Sequence, residues 1–260
     1  MPSVDPKVIL DFDMDLPGLV DSHIHLTDFD PGTDIGALIR ESAAAGVAFM
    51  ACNGTSESDW TTVLAIAQAN QGIIPCFGLH PWFVSSRSGD WLGTLEKLIE
   101  SNRCGVGEIG LDRMAQPSLL AQEEAFCAQL DLAQKYDRPA TIHCVRSWGR
   151  LVDILRDAPR LPRRFMMHAY GGSVDLIRPL ADMGAYFSFS ATILNDNFKR
   201  ARSALTSTPP DRILIETDAP NYPANIPAIA DAAADLLGES RSEFRERLWR
   251  NSCDFWGDLI

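Results

Sequence analysis

The sequence lacks the features that would place the protein in a membrane or in a secreted class. No run of about 18 or more apolar residues occurs in the 260-residue chain, so no transmembrane helix is expected. The N-terminus has no basic region leading into an apolar stretch. It is acidic instead, with Asp11, Asp13 and Asp15, and a secretory signal is not expected. These absences predict a cytoplasmic location.

Paired cysteine motifs are also lacking. The six cysteines form no C-x-x-C pair, which argues against a disulfide framework and against a structural zinc knuckle. The sequence therefore predicts that all six serve as small buried apolar side chains. They are Cys52, Cys76, Cys104, Cys127, Cys144 and Cys253.

Positive charge is scarce. The chain has 23 Lys and Arg against 35 Asp and Glu, for a formal net charge of −12. Proteins that bind nucleic acids non-specifically usually present a basic face, because neutralising phosphates drives that binding. No basic stripe occurs here. A nucleic-acid substrate would have to be held locally, by metal ions and a few arginines, and the charge alone favours a small substrate.

Eight short apolar runs alternate with stretches of helical character, and no low-complexity linker divides them. This alternation predicts a parallel sheet covered by helices. Eight units in 260 residues fit a closed (β/α)8 TIM barrel, in one domain spanning residues 1–260. The predicted strands cover residues 18–25, 47–54, 73–80, 104–108, 140–143, 165–168, 186–190 and 213–218.

Two of the helical stretches are marked clearly in the sequence. Over residues 118–136, Phe126, Leu130 and Ala133 fall on one face at i, i+4 and i+7. Near the C-terminus, Ser240 and Glu243 have the spacing of a capping box, which predicts the start of a helix.

All the histidines fall at or just beyond the end of a predicted strand, and Glu108 and Asp218 end two more strands. Histidines that only pack would be scattered over helices as well. Because the chemistry of such barrels lies at the carboxyl ends of the strands, one cluster at the barrel mouth is predicted. The five histidines are His23, His25, His80, His143 and His168.

The first strand carries a His-x-His pair. Alternate residues on a strand point to the same face, so His23 and His25 can share one metal ion. Asp21, two residues earlier, either accepts a hydrogen bond that orients a histidine or is a buried carboxylate near the metal. Asp218 ends the last strand, beside the first in a closed barrel. It can bind the same ion and accept the proton of an attacking water.

Glu108 lies in the glycine-rich run 105–112, where glycines leave room for close approach of backbone or ligand. A carboxylate there can bridge two cations, with His143 and His168 holding the second. Each residue alone could be a satisfied core group. The whole set exceeds what structural zinc needs, and open coordination positions, with water acidified toward hydroxide, indicate catalysis.

These motifs resemble the TatD-type metal-dependent hydrolases, a deoxyribonuclease family of the amidohydrolase-like barrel superfamily. The resemblance runs in family order from near residue 19 to about residue 257. The matching blocks are Asp21-Ser-His-Ile-His25, Gly78-Leu-His-Pro81, Gly107-Glu-Ile-Gly-Leu-Asp112, Ile142-His-Cys144, His168 with Gly171-Gly-Ser173, and Glu216-Thr-Asp-Ala-Pro220.

The resemblance implies two divalent ions, Mg, Mn or Zn, and a deoxyribonuclease that removes nucleotides from a 3′ end. One ion would be bound by His23, His25, Glu108 and Asp218. The other would be bound by Glu108, His143 and His168. Glu108 and Asp218 would be catalytic, and His80 would contact the substrate through phosphate.

Three departures from the family pattern lie on the substrate side. Arg146 stands one residue later than the family arginine. The segment after Leu111-Asp112 is shortened, so that Arg113 directly follows the motif. After Pro220, where a tyrosine is usual, the chain has Asn221 and then Tyr222. Arg113 and Arg146 are candidate phosphate-binding residues, although each could also be a solvated surface charge.

Three functions therefore stand open at this stage. The first is a phosphodiesterase acting on DNA. The second is a hydrolase of a small ester, amide or lactone that uses the same metal pair. The third is a metal-binding protein without turnover. Neither a membrane nor an obligate protein partner is expected.

Overall fold

A computed structural model describes residues 17–221 and 225–260 of the chain. The acidic residues Asp11, Asp13 and Asp15, which entered the argument against a signal peptide, lie outside the described residues. So does Tyr222, one of the departures from the family pattern. That residues 1–260 form one domain stays a prediction.

The described residues form eight strands that pair in chain order as one parallel sheet. The first and last strands meet, because the Asp218 N–H donates to the His23 carbonyl and the His25 N–H to the Ala219 carbonyl, both at 2.9 Å. The predicted TIM barrel is thereby confirmed. The strands are β1 (Leu19–Ile24), β2 (Val47–Asn53), β3 (Ile73–Phe77), β4 (Gly105–Asp112), β5 (Ala140–Val145), β6 (Phe165–Met167), β7 (Ala185–Phe189) and β8 (Ile213–Ile215).

An α-helix follows each strand, and a ninth α-helix of the described residues lies near the C-terminus, before a short 3₁₀ helix (Gly257–Leu259). The α-helices are α1 (Ile35–Ala44), α2 (Trp60–Ala69), α3 (Trp91–Ser101), α4 (Leu119–Lys135), α5 (Trp148–Asp157), α6 (Ile177–Asp182), α7 (Lys199–Ser207), α8 (Ile226–Leu237) and α9 (Arg241–Trp256). Both helices marked in the sequence are confirmed. The Ser118 hydroxyl accepts the Ala121 N–H at 3.3 Å to begin α4, and the Ser240 hydroxyl accepts the Glu243 N–H at 3.3 Å to begin α9.

The main core lies between the strands and the surrounding helices, and α4 shows how it is built. Phe126, Leu130 and Ala133 are buried against this core as their spacing predicts. Burying a side chain of the size of Leu or Phe contributes about 1.5–3 kcal/mol each. Such burial fixes the helix against the barrel, and with it the strand ends that carry the polar residues.

A second core cluster joins strand side chains to the end of α9. Phe255 and Trp256 pack there with Val20, Met166 and Leu214. Each of these three residues comes earlier on its strand than the predicted ligand at the end of that strand or beyond it. The end of α9 therefore packs toward the amino ends of the strands, opposite the mouth.

All eight strands differ from the sequence prediction by at least one residue at a limit. The largest differences are at the carboxyl ends of β3, β4 and β8, and they affect the site. Strand β3 stops at Phe77, so His80 lies beyond it. Strand β4 continues to Asp112, so Glu108 lies inside the strand rather than at its end. Strand β8 stops at Ile215, so Asp218 lies in the segment beyond it. The glycines of β4 allow close packing, since a Cβ at Gly110 would lie 2.0 Å from the His143 carbonyl oxygen. At Gly110 the close approach is between two backbones, whereas a Cβ at Gly107 would meet the Thr141 hydroxyl.

The prediction for the cysteines holds only in part. All six are free thiols, and Cys52, Cys76 and Cys104 are buried, but Cys127 is exposed and the remaining two are half-buried. Cys127 lies on α4 between buried positions, where the helical period turns it outward. Within the described ranges, no helix is long and apolar enough to cross a membrane.

Candidate metal centre

The barrel brings the predicted ligands to one end because parallel strands present their carboxyl ends at the same mouth. Strands β1, β4 and β5 carry three of them directly, and the other three lie one to three residues beyond β1, β6 and β8. Five of the six are buried, and His143 is nearly so. The six residues are His23, His25, Glu108, His143, His168 and Asp218.

The carboxylate of Glu108 stands at the centre of this cluster, and its two oxygens face different histidines. Oε2 lies 3.3 Å from His23 Nε2 and 3.2 Å from His25 Nε2. Oε1 lies 2.7 Å from His143 Nδ1 and 2.7 Å from His168 Nε2. One carboxylate therefore stands between two pairs of imidazoles.

The spacing of these atoms fits a divalent cation. Ligand atoms about 2.1 Å from an ion lie about 3.0–3.4 Å from one another in octahedral or tetrahedral geometry. His23 Nε2 and His25 Nε2 are 3.1 Å apart, and His25 Nε2 is 3.6 Å from Asp218 Oδ1. His23, Glu108 and His168 also offer ligand atoms within 4.8 Å of one another. The donor set and its geometry therefore fit resident metal ions.

Oxygen atoms on the far side of the rings prepare two histidines as ligands. The Asn53 carbonyl can only accept, so His25 Nδ1 carries the proton of their 3.0 Å bond. That leaves the Nε2 lone pair directed at the cluster. His168 Nδ1 faces Glu216 Oε1 at 3.5 Å, so its Nε2 is likewise left for the cluster.

His143 has the opposite orientation, with Nδ1 toward Glu108 and Nε2 toward Asp112 Oδ2 at 3.6 Å. Asp112 is itself held in place, because its carboxylate accepts the Trp82 Nε1–H at 2.6 Å and the Met114 N–H at 2.7 Å. A carboxylate behind a ligating imidazole fixes its tautomer and raises its basicity.

His80 differs from His25 because its Nδ1 accepts a hydrogen bond, whereas His25 Nδ1 donates one. His80 Nδ1 accepts the Trp82 N–H at 3.2 Å, so in the neutral ring Nε2 carries the proton. Burial lowers the pKa of His80, although Glu108 opposes that effect, and the neutral ring is favoured. Nε2 then faces Glu108 Oε1 at 3.4 Å as a donor. This tautomer suits a contact to substrate oxygen, the predicted role.

The side chains of the cluster strongly shift one another's pKa values. Burial and the neighbouring His168 lower the pKa of His23 to about 3. Burial also lowers that of His25, but Glu108 and Asp218 outweigh it and raise the pKa to about 9. Burial raises the pKa of Glu108, yet the surrounding imidazoles hold it well below its usual value. Burial, together with nearby carboxylates, raises the pKa of Asp218 to about 6.

Asp21 corresponds to the second of its two predicted roles. Its carboxylate accepts the Thr217 N–H at 2.9 Å, the Thr217 hydroxyl at 2.6 Å and the His23 backbone N–H at 3.3 Å. Its partners are therefore two backbone N–H groups and one hydroxyl, and none of them is an imidazole ring. Burial raises the pKa of Asp21 to about 7, against the lowering effect of these hydrogen bonds.

The two arginines lie beyond the ends of paired strands. Asp112 pairs with Val145 in the register of β4 and β5, so Arg113 and Arg146 follow at neighbouring positions. Both are exposed, and Arg146 Nη1 lies 3.3 Å from the Met114 sulfur. Their role in substrate binding stays a prediction.

Two carboxylates that the sequence assigned no role support the cluster from behind. Glu216 is fully buried and accepts the Ala169 N–H at 2.7 Å and the Ser188 hydroxyl. Asp112 faces His143. Their spacing in the sequence could have revealed both residues. Asp112 lies four residues after the predicted ligand Glu108, and Glu216 lies two residues before the predicted ligand Asp218, so each points to the same face as that ligand on a strand or its extension.

A (β/α)8 barrel that gathers imidazoles and carboxylates at the carboxyl ends of its strands defines the class of metal-dependent barrel hydrolases. Residues 20–257 match the model of one family in that class, the TatD related DNases. The chain therefore belongs to the TatD-related DNase family.

Individual relatives agree with this assignment. The metal-dependent hydrolase YjjV of Escherichia coli K12, named as uncharacterized, is 31% identical over 211 residues, which are 79% of this chain and 81% of that protein. The 3′-5′ ssDNA/RNA exonuclease TatD of Pantoea vagans is 28% identical over 257 residues, 90% of this chain and 97% of that protein. The crystal structure of E. coli YjjV is similar with a TM-score of 0.85 and 28% identity, covering 91% of this chain and 97% of that one.

Proposed function

We propose that this chain is a phosphodiesterase that uses two divalent metal ions to hydrolyse DNA from a 3′ end. The observation that carries the proposal is the position of Glu108, whose two oxygens each face a separate pair of imidazoles. A carboxylate placed in this way suits a bridge between two ions. The relative from Pantoea vagans, named as a 3′-5′ ssDNA/RNA exonuclease, supports the choice of substrate class.

The same geometry supports a proposed assignment of residues to the two ions. His23, His25 and Asp218 would hold one ion, His143 and His168 the other, and Glu108 both. Divalent ions in such a pair supply Lewis acidity, which polarises the scissile phosphoryl group and lowers the pKa of water. The identity of the ion, Mg, Mn or Zn, is left to measurement.

Asp218 is the proposed proton acceptor. Burial and the nearby carboxylates raise its pKa to about 6 in the absence of a metal ion. The role rests on the position of the carboxylate beside the first ion site, where Asp218 Oδ1 lies 3.6 Å from His25 Nε2. Asn221 Nδ2 lies 3.4 Å from Asp218 Oδ1, so one carboxylate oxygen is oriented from the mouth side. The proton of the attacking water would pass to this carboxylate.

Donors at the mouth would bind the phosphates. His80 presents Nε2–H, and Arg113 and Arg146 extend from neighbouring strand ends. Arginines can pair with two phosphate oxygens at once. The net charge of −12 opposes long-range attraction of a polyanion. Binding would therefore be local, at one end of a strand, in keeping with an exonuclease. The cytoplasmic location predicted from the sequence is compatible with this role.

The test uses purified protein stripped with a chelator and reloaded with Mg, Mn or Zn. Single-stranded DNA labelled at its 5′ end should shorten in single-nucleotide steps, and activity should disappear when the chelator is restored. His168→Ala and Asp218→Ala should each abolish cleavage, whereas Asp182→Ala, an exposed carboxylate on α6, should not. Cleavage that is insensitive to chelation, or that survives both substitutions, would reject the proposal.

A small ester, amide or lactone is the second candidate substrate, and the net charge of −12 favours it. The same ions would polarise a carbonyl oxygen in place of a phosphoryl oxygen. A panel of N-acyl amino acids and lactones, assayed with the metal that supports the highest activity, separates the two candidates. Turnover of an acyl substrate without DNA cleavage would support the second and exclude the first.

A further inference from the structure

The large exposed apolar side chains of the described residues are gathered on the mouth side of the barrel. Each large one lies between the end of a strand and the first turn of the helix that follows it. These segments build the active-site face of a barrel, and exposed apolar surface gathered in one region marks a binding surface. The residues are Trp82, Phe83, Met114, Leu120, Val174, Leu194 and Phe198.

Trp82 is held in place and yet largely uncovered. Its backbone N–H donates to His80 Nδ1 at 3.2 Å, and its Nε1–H donates to Asp112 Oδ2 at 2.6 Å. The residue nevertheless remains 60% exposed. A tryptophan used for packing would bury its ring. Here hydrogen bonds fix the indole while most of its surface stays open to a ligand.

The neighbours of Trp82 extend this surface around the mouth. The Phe83 ring lies 6.4 Å from the His80 ring. The Met114 N–H donates to Asp112 Oδ1, and the Met114 sulfur lies 3.3 Å from Arg146 Nη1. An aromatic and thioether surface therefore adjoins one cationic side chain. We call the set of Trp82, Phe83, Met114 and Arg146 the mouth platform.

The mouth platform is directly connected to the candidate metal centre. Asp112 Oδ2, which accepts from Trp82, lies 3.6 Å from His143 Nε2. His143 Nδ1 lies 2.7 Å from Glu108 Oε1. Two side chains thus separate the indole from the carboxylate at the centre of the cluster. A nucleotide whose phosphodiester reaches the centre could place a base against the indole.

We propose that Trp82 is the stacking site for the unpaired terminal base of a single-stranded nucleic acid, with Arg146 beside it for phosphate. The inference rests on the proposed phosphodiesterase function. Aromatic side chains bind bases of any sequence through their ring faces, and only an unpaired base is free to stack. Stacking also supplies affinity that an acidic protein cannot obtain from long-range charge.

The test compares two substrates and four proteins. One substrate is a short oligothymidylate, and the other is the same strand with an abasic residue at its 3′ end. The wild-type chain is compared with Trp82→Ala, Trp82→Phe and Trp249→Ala. The last variant removes a half-buried tryptophan of α9, whose ring lies 6.3 Å from the Phe49 ring and which is not one of the exposed side chains at the mouth. Binding is measured by fluorescence anisotropy with Ca, and kcat/KM with Mn.

Trp82→Ala should weaken binding and lower kcat/KM by about tenfold for the base-bearing strand, with a much smaller loss for the abasic strand. Trp82→Phe keeps an aromatic ring and should retain most of the preference for a base. Trp249→Ala should distinguish the two strands as wild type does. Trp82→Ala also removes the hydrogen bond to Asp112, but that loss alone would weaken both strands equally. The ratio of the effect on the base-bearing strand to the effect on the abasic strand therefore measures stacking.

Equal losses on both strands would overturn the inference, because Trp82 would then act only through Asp112. So would wild-type binding that does not distinguish the two strands. The proposed function fails separately, if the base-bearing strand binds in a Trp82-dependent way and is never cleaved. Base-independent cleavage would leave that function standing and remove the stacking site.

Discussion

Glu216→Gln tests whether a buried carboxylate behind His168 sets the affinity of the centre for metal. The wild-type carboxylate accepts the Ala169 N–H at 2.7 Å and the Ser188 hydroxyl, and it faces His168 Nδ1 at 3.5 Å. Glutamine keeps the shape, and the rotatable serine hydroxyl can accept from the new amide. What is lost is chiefly the negative charge opposite the imidazole.

Outer carboxylates of this kind are typically worth 10–100-fold in metal affinity, which corresponds to about 1.4–2.7 kcal/mol. Glu216→Gln should therefore bind Zn or Mn at least tenfold more weakly, as measured by competition with a chelating dye on metal-free protein. Ser188→Ala is the matched control, since it removes one hydrogen bond to the carboxylate and leaves the charge. Its metal affinity should stay within about threefold of wild type.

Circular dichroism and urea unfolding show whether both variants are folded before metal is added. If Glu216→Gln is folded and its metal affinity remains within about threefold of wild type, the carboxylate does not orient His168. The same result would leave the role of Glu108 untouched, since that residue faces the ligands directly.

Three further predictions follow from burial and charge. Metal uptake at pH 7 should release protons, because Glu108 and Asp218 overcome burial and raise the pKa of His25 to about 9. Apparent metal affinity should then fall as the pH drops below that value, and calorimetry in buffers of different ionisation enthalpy measures the protons released. Asp218→Asn should lower kcat by about 10²–10⁴-fold, with metal content measured alongside, and an unchanged kcat would remove its role as base. Leu130→Ala, at a position 4% exposed, should cost about 2–5 kcal/mol of unfolding free energy in urea, whereas Leu120→Ala on the same helix, 67% exposed, should change it by less than about 0.5 kcal/mol.

The barrel and the position of its cluster could be predicted because both depend on local patterns. Apolar runs that alternate with helical stretches specify parallel strands, and the end of each strand specifies the mouth. His23, His25 and Asp218 meet there because the last strand closes against the first. The prediction needed only the chain order of the runs and the geometry of a closed sheet.

The limits of β4 could not be predicted in the same way. The run after Glu108 contains Gly110 and ends in Asp112, which reads as a turn. In the structure β5 lies so close to Gly110 that only glycine fits, and the strand continues through it. Whether a glycine ends a strand or admits a neighbouring backbone depends on that neighbour, which is distant in sequence.

Which ring nitrogen of each histidine carries the proton could not be predicted from the sequence either. His25 owes its tautomer to the Asn53 carbonyl, 28 residues away. His80 owes its tautomer to the backbone N–H of Trp82, available because the chain turns into a 3₁₀ helix there. Both residues are histidines in the sequence. In the structure, His25 directs the lone pair of Nε2 at the cluster, whereas neutral His80 directs its Nε2–H at the cluster.

Backbone conformation at the mouth explains why the supporting carboxylate matters. Three of the four non-glycine residues with positive φ in the described chain follow strand ends at the mouth: Arg146 at 51°, Ala169 at 41° and Asp218 at 52°. Side chains in this region cost of order 1–3 kcal/mol each, and such residues persist only where surrounding contacts hold them. At Ala169 that contact is the N–H donated to Glu216. The Glu216 carboxylate thus faces the His168 ring and also holds the turn that directly follows His168. Both the positive φ of Ala169 and the position of the His168 ring therefore depend on this one buried charge.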